Sequence, residues 1–325
     1  MTRSPDNYLS LQVAALAGGV GGAKLARGLD RVLPPGNLTL IVNTGDDFEH
    51  FGLRISPDLD SVCYALAGLA DPVRGWGRAD ETWNCFSGLG ELGAPTWFQL
   101  GDKDLALHLE RTRLLQEGLS LSEVTRHFCE RWGVRSRVLP MCDGQFRTQV
   151  RITDGSLLDF QEYFVRERCE PVISGFVFSR AEDIAPAPGV LSALEEADLV
   201  VLCPSNPWVS IDPILQLPGI LEVLRKKTVI AVSPIIQGKS VKGPAAKMFA
   251  EMGIPPTSLS VLAHYSAFLE GFVYDLLDRD LFQNYEGERI IIRGLNTLMQ
   301  NDEDKTRLAI EMLRFGQDLI ARKAP

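Results

Sequence analysis

The sequence predicts an α/β protein: a parallel sheet with helices on both faces and an inserted smaller α+β subdomain. Strand–loop–helix patterns carry this prediction. Residues 11–17 are an apolar strand followed by glycines and a helical pattern over residues 24–33, and residues 38–42 form the next apolar strand. Such βαβ units build parallel sheets. A second cluster of strands follows, with apolar runs at residues 197–202 and 227–232.

The pattern changes in the middle of the chain, where helical segments are followed by short alternating runs. We therefore predict that residues 1–104 and 181–325 form the two parts of the core. Residues 105–180 are predicted to be the inserted subdomain, which is a candidate lid. Residues 302–323 have an acidic start and a basic end, which suits the dipole of a C-terminal packing helix.

Composition excludes several classes of function. The 325-residue chain has a formal net charge of −9, so we expect no nucleic-acid partner, because such binding needs a basic face. No apolar run approaches the ~18 residues of a membrane span, and the apolar stretch near the start is too interrupted for a signal peptide. The six cysteines include no CxxC pair, which is typical of reduced thiols in a cytoplasmic protein.

LAGGVGGAKLARGL follows the first strand, and we call its residues 18–24 the glycine segment; it holds Gly18, Gly19, Gly21, Gly22 and Lys24. Glycines between a strand and a helix let backbone N–H groups approach phosphate oxygens. The segment does not match the dinucleotide pattern GxGxxG, because Lys24 stands where the last glycine belongs, and it does not match GxxxxGK[ST]. The glycine segment, with its lysine, favours the binding of an anion. The alternative is a tight turn whose only role is to pack the helix on the sheet.

NTGDDFEHFGLRISPDLDS follows the second strand and holds Asp46, Asp47, Asp58 and Asp60. The carboxyl ends of parallel strands share one edge, so these carboxylates are expected beside the glycine segment. Carboxylates near a phosphate are unfavourable unless a cation lies between them, and Mg²⁺ takes one or two carboxylates plus phosphate oxygens. The set predicts Mg²⁺. Capping of a turn or helix is the alternative for any single aspartate.

Two further motifs carry aromatic or charged side chains that could contact a ligand. RGWGRADETWN holds Trp76, Arg78 and Trp83, and aromatic and guanidinium groups stack on heterocycles. A surface loop anchored by its tryptophans is the alternative. LGDKDLALH places Lys103 at a junction between loop and helix, where a capping box is the alternative.

CPSNPWVSI and SPIIQGKSVKGPAAK each follow a strand and hold Ser205, Asn206, Ser233, Gly238 and Gly243. Hydroxyl and amide groups at these positions can hold phosphate or base edges, and the lysines add positive charge. An ordinary proline-containing strand exit is the alternative. No HExxH or GxSxG pattern is present, which argues against zinc hydrolases and serine hydrolases.

In this order, GGVGGAK, VNTGDD, ISPDLD, RGWGRADETWN, LGDKDLALH, LPMCD, PSNPWVSI and SPIIQGKSVKGPA resemble the 2-phospho-L-lactate transferase family of coenzyme F420 biosynthesis. The resemblance implies a Rossmann-like homodimeric enzyme that requires Mg²⁺. It implies that the deazaflavin Fo attacks a guanylated three-carbon phosphoacid and releases GMP. The bacterial form, which the motifs resemble, uses enolpyruvoyl-2-diphospho-5′-guanosine and gives dehydro-F420-0. Donors with 2-phospholactate or 3-phosphoglycerate stay open.

Carried over residue by residue, the resemblance implies Asp46 and Asp60 as metal ligands and, together with Lys103, as catalytic residues. Fo would contact Asp60, Trp76, Arg78, Trp83 and Lys103. The guanosine diphosphate part would lie on Gly18, Gly19, Gly21, Gly22, Lys24, Ser205, Asn206, Ser233, Gly238 and Gly243. The family often has arginine at the position of Lys103. This chain keeps the positive charge there but lacks a guanidinium, which can donate two parallel hydrogen bonds to one ligand group.

Two other classes fit part of the pattern. A nucleotide-sugar-binding regulator of the gluconeogenesis-factor type would share the core and need no Fo pocket. An NAD-dependent dehydrogenase is disfavoured, because Lys24 breaks the dinucleotide pattern. Phosphoryl-type transfer is mostly positioning and charge stabilisation, so no covalent nucleophile is needed. Direct attack by Fo is what the family resemblance then implies.

Overall fold

The computed structural model describes residues 7–285, 287 and 289–323. Its strands are β1 (Val13–Ala17), β2 (Leu38–Val42), β3 (Phe48–His50), β4 (Leu53–Ile55), β5 (Arg137–Pro140), β6 (Phe146–Ile152), β7 (Leu157–Asp159), β8 (Ile173–Arg180), β9 (Leu199–Leu202), β10 (Val229–Val232), β11 (Ile235–Ile236), β12 (Lys239–Ser240), β13 (Gly271–Asp275) and β14 (Ile291–Leu295). Its helices are α1 (Gly19–Val32), α2 (Pro57–Ala67), α3 (Asn84–Glu91), α4 (Asp102–Gln116), α5 (Leu121–Arg131), α6 (Val190–Glu196), α7 (Asp212–Leu215), α8 (Ile220–Leu224), α9 (Ala245–Glu251), α10 (Ser258–Tyr265) and α11 (Asp302–Lys323).

The main sheet confirms the predicted α/β class. Its strand order is β14-β13-β10-β9-β1-β2-β5, and each neighbouring pair is parallel. The chain places β2 and β5 on one side of β1 and then returns to place β9 on the other side. The strand order therefore reverses between β1 and β9, which is where open parallel sheets bind ligands.

Both faces of β1 are covered, and this is why its sequence, VAALA, is apolar throughout. Ala15 and Ala17 belong to the core that includes Phe315 of α11 and residues of α1 and α2. Ala14 and Leu16 belong to the core on the opposite face, which includes residues of α6, α8, α9 and α10. Small side chains on β1 let the flanking helices approach the sheet closely.

Helix α1 includes most of the glycine segment and begins at Gly19, whereas the sequence pattern predicts a start at Lys24. The glycines are required by packing. A Cβ atom on Gly21 would collide with the carbonyl oxygen of Pro204, and one on Gly22 would lie 2.5 Å from Ser205 Oγ. The first turn of α1 therefore touches the loop that follows β9.

The segment predicted as an inserted subdomain, residues 105–180, also contributes to the main sheet, because its strand β5 pairs with β2. The part that stands outside that sheet is an antiparallel sheet in which β6 pairs with β7 and β8. A π-helical turn, Glu162–Arg166, connects β7 to β8. Movement of this sheet as a lid stays a prediction. Within the described ranges, no helix combines the length and apolarity needed to cross a bilayer.

Candidate active site

A cavity of about 740 Å³ opens where the strand order reverses, and its volume is in the usual range for small-molecule sites. Many of the residues predicted from sequence line it: Gly18, Gly19, Gly21, Lys24, Asp46, Asp60, Trp76, Ser205, Asn206, Ser233 and Gly243. Segments that lie far apart in sequence are therefore brought to one place. The connection between β7 and β8 contributes another part of the wall with several of residues 160–168.

Some predicted residues lie outside the cavity wall as the described residues form it: Gly22, Arg78, Trp83, Lys103 and Gly238. Lys103 is exposed, and its Nζ atom lies 3.5 Å from the carbonyl oxygen of Ala79. The guanidinium of Arg78 lies over the Tyr64 ring at 5.6 Å. Direct contact of these side chains with a ligand stays a prediction.

The start of α1 holds an anionic side chain. The backbone N–H of Gly19 donates to Asp58 Oδ1 at 2.6 Å. Ser205 Oγ accepts a hydrogen bond from the N–H of Gly18 at 3.1 Å and donates one to the Gly18 carbonyl at 2.8 Å. The N-terminal end of a helix carries partial positive charge, so this position favours carboxylates and phosphates.

Asn43 connects two buried carboxylates. Its Nδ2 atom lies 2.9 Å from Asp58 Oδ2 and 3.2 Å from Asp46 Oδ1. The second oxygen of Asp46 accepts a hydrogen bond from Gln161 Nε2 at 2.6 Å. A continuous chain of hydrogen bonds thus runs from the antiparallel sheet through Asp46, Asn43 and Asp58 to the glycine segment.

The carboxylates of this chain are electrostatically unfavourable when both are ionised. Burial raises the pKa of Asp46 well above its usual range, and repulsion from Asp58 and Asp47 adds to the effect. Burial also raises the pKa of Asp58 to about 6, against hydrogen bonds from Asn43 and Gly19 that lower it. A cation would relieve this repulsion, so Asp46 and Asp58 fit a divalent metal ion.

Asp60 has a different environment. Arg111 donates to both of its carboxylate oxygens, and the bond from NH1 to Oδ2 measures 3.0 Å. Both side chains are buried, so the charge of Asp60 is already compensated. The structure links Asp46 with Asp58 through Asn43, whereas the family resemblance implies Asp46 with Asp60. In the described residues, no set of three or more Asp, Glu, His or Cys side chains forms a metal cage.

Positive charge lies on another part of the cavity wall. Lys24 Nζ donates to the Met299 carbonyl at 2.8 Å, and Lys242 Nζ donates to the Arg74 carbonyl at 3.1 Å. Burial lowers the pKa of Lys24, and repulsion from Lys242 and Lys305 lowers it further. Lys24 and Lys242 form no ion pair with a carboxylate among the described residues, so their charge favours an anionic ligand.

Sequence reasoning missed two members of this site. Asn43 is the first residue after β2, so its place at the carboxyl edge of the sheet could have indicated a role. Gln161 carries no such local signal, because its contact with Asp46 joins positions that are 115 residues apart. Asp58 is one of the four aspartates that together predict Mg²⁺, although the family resemblance implies only Asp46 and Asp60 as ligands.

Comparisons with known proteins identify the family of this chain. A family model described as 2-phospho-L-lactate transferase CofD matches residues 13–305. The chain is 44% identical to a phosphoenolpyruvate transferase of Thermobifida fusca, over 83% of this chain and 88% of that protein. It is 39% identical to a phosphoenolpyruvate transferase of Streptomyces coelicolor, over 95% of this chain and 99% of that protein.

A crystal structure from Bacillus halodurans, of a UPF0052 family member, has the same fold, with a TM-score of 0.54 and 17% identity over 87% of each chain. The family match spans most of the chain, and the relatives in Thermobifida and Streptomyces are similar over nearly their full length. The chain therefore belongs to the CofD family of 2-phospho-L-lactate transferases and is a transferase.

Proposed function

We propose that this transferase acts in coenzyme F420 biosynthesis and transfers a phosphoenolpyruvyl group from enolpyruvoyl-2-diphospho-5′-guanosine to Fo, giving dehydro-F420-0 and GMP. The observation that carries this proposal is the cavity at the strand reversal, where a glycine-rich helix start, uncompensated lysines and buried carboxylates meet. Relatives named phosphoenolpyruvate transferases favour this three-carbon acid over 2-phospholactate and 3-phosphoglycerate.

The glycine segment is proposed to hold the guanosine diphosphate part of the donor. Backbone N–H groups at the start of α1 and the charges of Lys24 and Lys242 suit phosphate oxygens. Ser205, Asn206 and further residues predicted from sequence line the same cavity, namely Ser233 and Gly243. This part of the wall therefore supplies hydrogen-bond donors and positive charge, and Lys24 and Lys242 have no acidic partner among the residues that the structure describes.

Mg²⁺ is proposed to bind at the buried carboxylates. Asp46 was predicted as a ligand together with Asp60, but the ion pair between Asp60 and Arg111 favours Asp58 as the second carboxylate. When bound, Mg²⁺ would offset negative charge on the transferring phosphoryl group. Asn43 and Gln161 would orient the carboxylates, as residues behind metal ligands commonly do.

Fo is proposed to lie against the aromatic part of the wall, which includes Trp76, Trp97, Phe98 and Phe164. A planar deazaflavin ring gains stacking energy from such side chains. Asp60 lines the same cavity. Arg78, Trp83 and Lys103 lie outside its wall as the described residues form it. The hydroxyl group of Fo would attack the phosphorus next to the three-carbon acid directly, and the protein's part is to position both substrates.

Mass spectrometry of reaction products tests the proposal. The protein is incubated with Fo and Mg²⁺ and with each of the three guanylated donors in turn, and a parallel set contains EDTA. We expect the mass of dehydro-F420-0 with the enolpyruvoyl donor and no product with EDTA. Product from only the lactyl or glyceryl donor would overturn the choice of donor. If no donor gives product and titration with Fo leaves its fluorescence unchanged, the alternative of a nucleotide-sugar-binding regulator would be favoured.

We also propose that the enzyme is a cytoplasmic homodimer with these small molecules as its partners. The support is the family resemblance and the composition rather than any contact described above. Size-exclusion chromatography with light scattering tests the assembly, and a mass equal to the 35.9 kDa chain at micromolar concentration would contradict it.

A further inference from the structure

A buried polar group lies on the cavity wall beyond the two carboxylates that fit a metal ion. Asp104 stands in the first turn of α4 and lines the cavity. Its side chain is 14% exposed. The hydroxyl of Tyr64, on α2, donates to Asp104 Oδ1. The other oxygen, Oδ2, accepts no hydrogen bond from the described residues, so Asp104 offers a free carboxylate oxygen at the wall.

His108 supports Asp104 from behind. Arg111 NH1 lies 3.3 Å from His108 Nδ1, and a guanidinium can only donate, so Nδ1 is the accepting nitrogen. The ring proton is then on Nε2, which lies 3.6 Å from Asp104 Oδ1. Asp60 holds Arg111 in turn. Asp60 therefore positions Arg111 against His108, whose Nε2 atom faces Asp104 without a hydrogen bond to the described residues, and this gives Asp60 a role other than binding a metal ion.

The neighbours of Asp104 keep it ionised. Burial acts to raise the pKa of Asp104, but His108, Tyr64 and Arg111 together hold this pKa below its usual range. Glu81 also faces this turn, where it accepts the backbone N–H of Asp104 at 2.9 Å. An ionised carboxylate with a free oxygen is able to accept a proton from a hydroxyl group.

The position of Asp104 suits the attacking hydroxyl. Asp58 contacts the glycine segment near the start of α2, and Tyr64 contacts Asp104 further along the same helix. Asp58, Tyr64 and Asp104 all line the same cavity. A diphosphate on the glycine segment and an attacking oxygen ~3 Å from its outer phosphorus would therefore share that cavity with Asp104.

We propose that Asp104 is a catalytic residue that accepts the proton of the attacking hydroxyl group, an inference that rests on the proposed function. The O–H bond of the acceptor breaks as its oxygen forms a bond to phosphorus. The bond from phosphorus to the oxygen of GMP breaks, and GMP leaves with that electron pair. The proton passes to Asp104 Oδ2 and then to water. The catalytic-loop aspartate of protein kinases takes a substrate proton in the same way.

The variant Asp104→Asn tests this role, with Asp102→Asn as the matched control. Asp102 lies on the same helix outside the cavity wall formed by the described residues, and it accepts hydrogen bonds from Thr82, Asn84 and Cys85. We expect Asp104→Asn to lower kcat by about 10²–10⁴-fold while Fo still binds, as measured by deazaflavin fluorescence. Asp102→Asn should keep the kcat of the unmodified enzyme.

Tyr64→Phe provides a second readout, which holds even if Asp104→Asn does not fold. Loss of the Tyr64 hydroxyl removes a hydrogen bond that stabilises the ionised carboxylate, so the pKa of Asp104 should rise. The acid limb of the pH profile of kcat should then move to higher pH, whereas a purely structural role would leave it in place. An unmoved limb, or wild-type turnover by Asp104→Asn, would overturn this proposal alone. Absence of product from the unmodified protein would overturn the proposed function as well.

Discussion

Gln161 donates a hydrogen bond to Asp46 Oδ2 at 2.6 Å, and thereby ties the antiparallel sheet to the acidic part of the cavity. Gln161 is 6% exposed, so no water replaces this bond readily. We expect Gln161→Ala to raise the Mg²⁺ concentration for half-maximal activity by about 10–100-fold, the usual effect of removing a residue behind a metal ligand. Titration of turnover against Mg²⁺ measures it.

Gln149→Ala is the control for that change. Gln149 is on β6 of the antiparallel sheet, next to the turn that holds Gln161. Its amide donates to Asp159 at 3.0 Å, outside the cavity wall as described. Its loss should leave the Mg²⁺ titration unchanged. Equal effects of the two variants would show that the antiparallel sheet acts only through stability.

Asp58→Asn and Asp60→Asn should fail in different ways. Asp58→Asn removes a carboxylate that has no cationic partner among the described residues. We therefore expect weaker Mg²⁺ binding, seen as a higher Mg²⁺ concentration for half-maximal activity, and a protein that stays folded. Asp60→Asn leaves Arg111 buried without an ionised partner, and breaking such a pair costs about 3–5 kcal/mol. Denaturant unfolding and Mg²⁺ titration of both variants separate the two effects. An altered Mg²⁺ titration for Asp60→Asn alone would restore Asp60 as the metal ligand.

Gly21→Ala should disrupt the donor side of the cavity. The new methyl group would collide with the carbonyl oxygen of Pro204, so the start of α1 and the loop after β9 must move apart. We expect the affinity for GMP to fall by at least about tenfold, a change of ~1.4 kcal/mol, as measured by calorimetry. Gly88→Ala is the control, because Gly88 is also helical and a Cβ atom there meets nothing within 4 Å. Unchanged GMP binding by Gly21→Ala would contradict the assigned contact.

Asp47 should make stability depend on pH. Burial raises its pKa to about 8, although a hydrogen bond from Ser56 and the charge of Arg111 act to lower it. In an unfolded chain the pKa is about 3.9, so the folded state binds the extra proton between these values. The stabilisation is complete below the unfolded pKa and is lost as pH rises towards 8.

Asp47→Asn should remove that dependence. In EDTA, the melting temperature of the unmodified protein should fall relative to that of the variant as pH rises from 5 to 9. Parallel curves for the two proteins would show that Asp47 titrates normally.

Local patterns predicted the elements well. The bounds of β2 and α11 agree with the sequence prediction, because an apolar run and a charge-polarised amphipathic stretch are each sufficient to define an element. The predicted start of α1, Lys24, lies after the actual start, Gly19. A local pattern treats glycine as a helix breaker, and it contains no information on the packing against Pro204 that requires glycine here.

The candidate site was predicted less completely. Asp58 and Asp60 are two residues apart on α2, which is about 200° around a helix, so they face different partners. The choice between them depends on how α2 is rotated against α1 and α4. The contact of Gln161 with Asp46 depends on where the antiparallel sheet returns, and no local pattern carries that information.

The paired hydrogen bonds between Ser205 and Gly18 span 187 residues. At about 5–20 residues per second, a ribosome needs roughly 10–40 s to synthesise that span. The glycine segment and the aspartates are therefore exposed early in synthesis, long before the partners that complete the cavity exist. A nascent chain ending before β9 would carry these motifs without a formed nucleotide site, so ligand binding can assist only the last stage of folding.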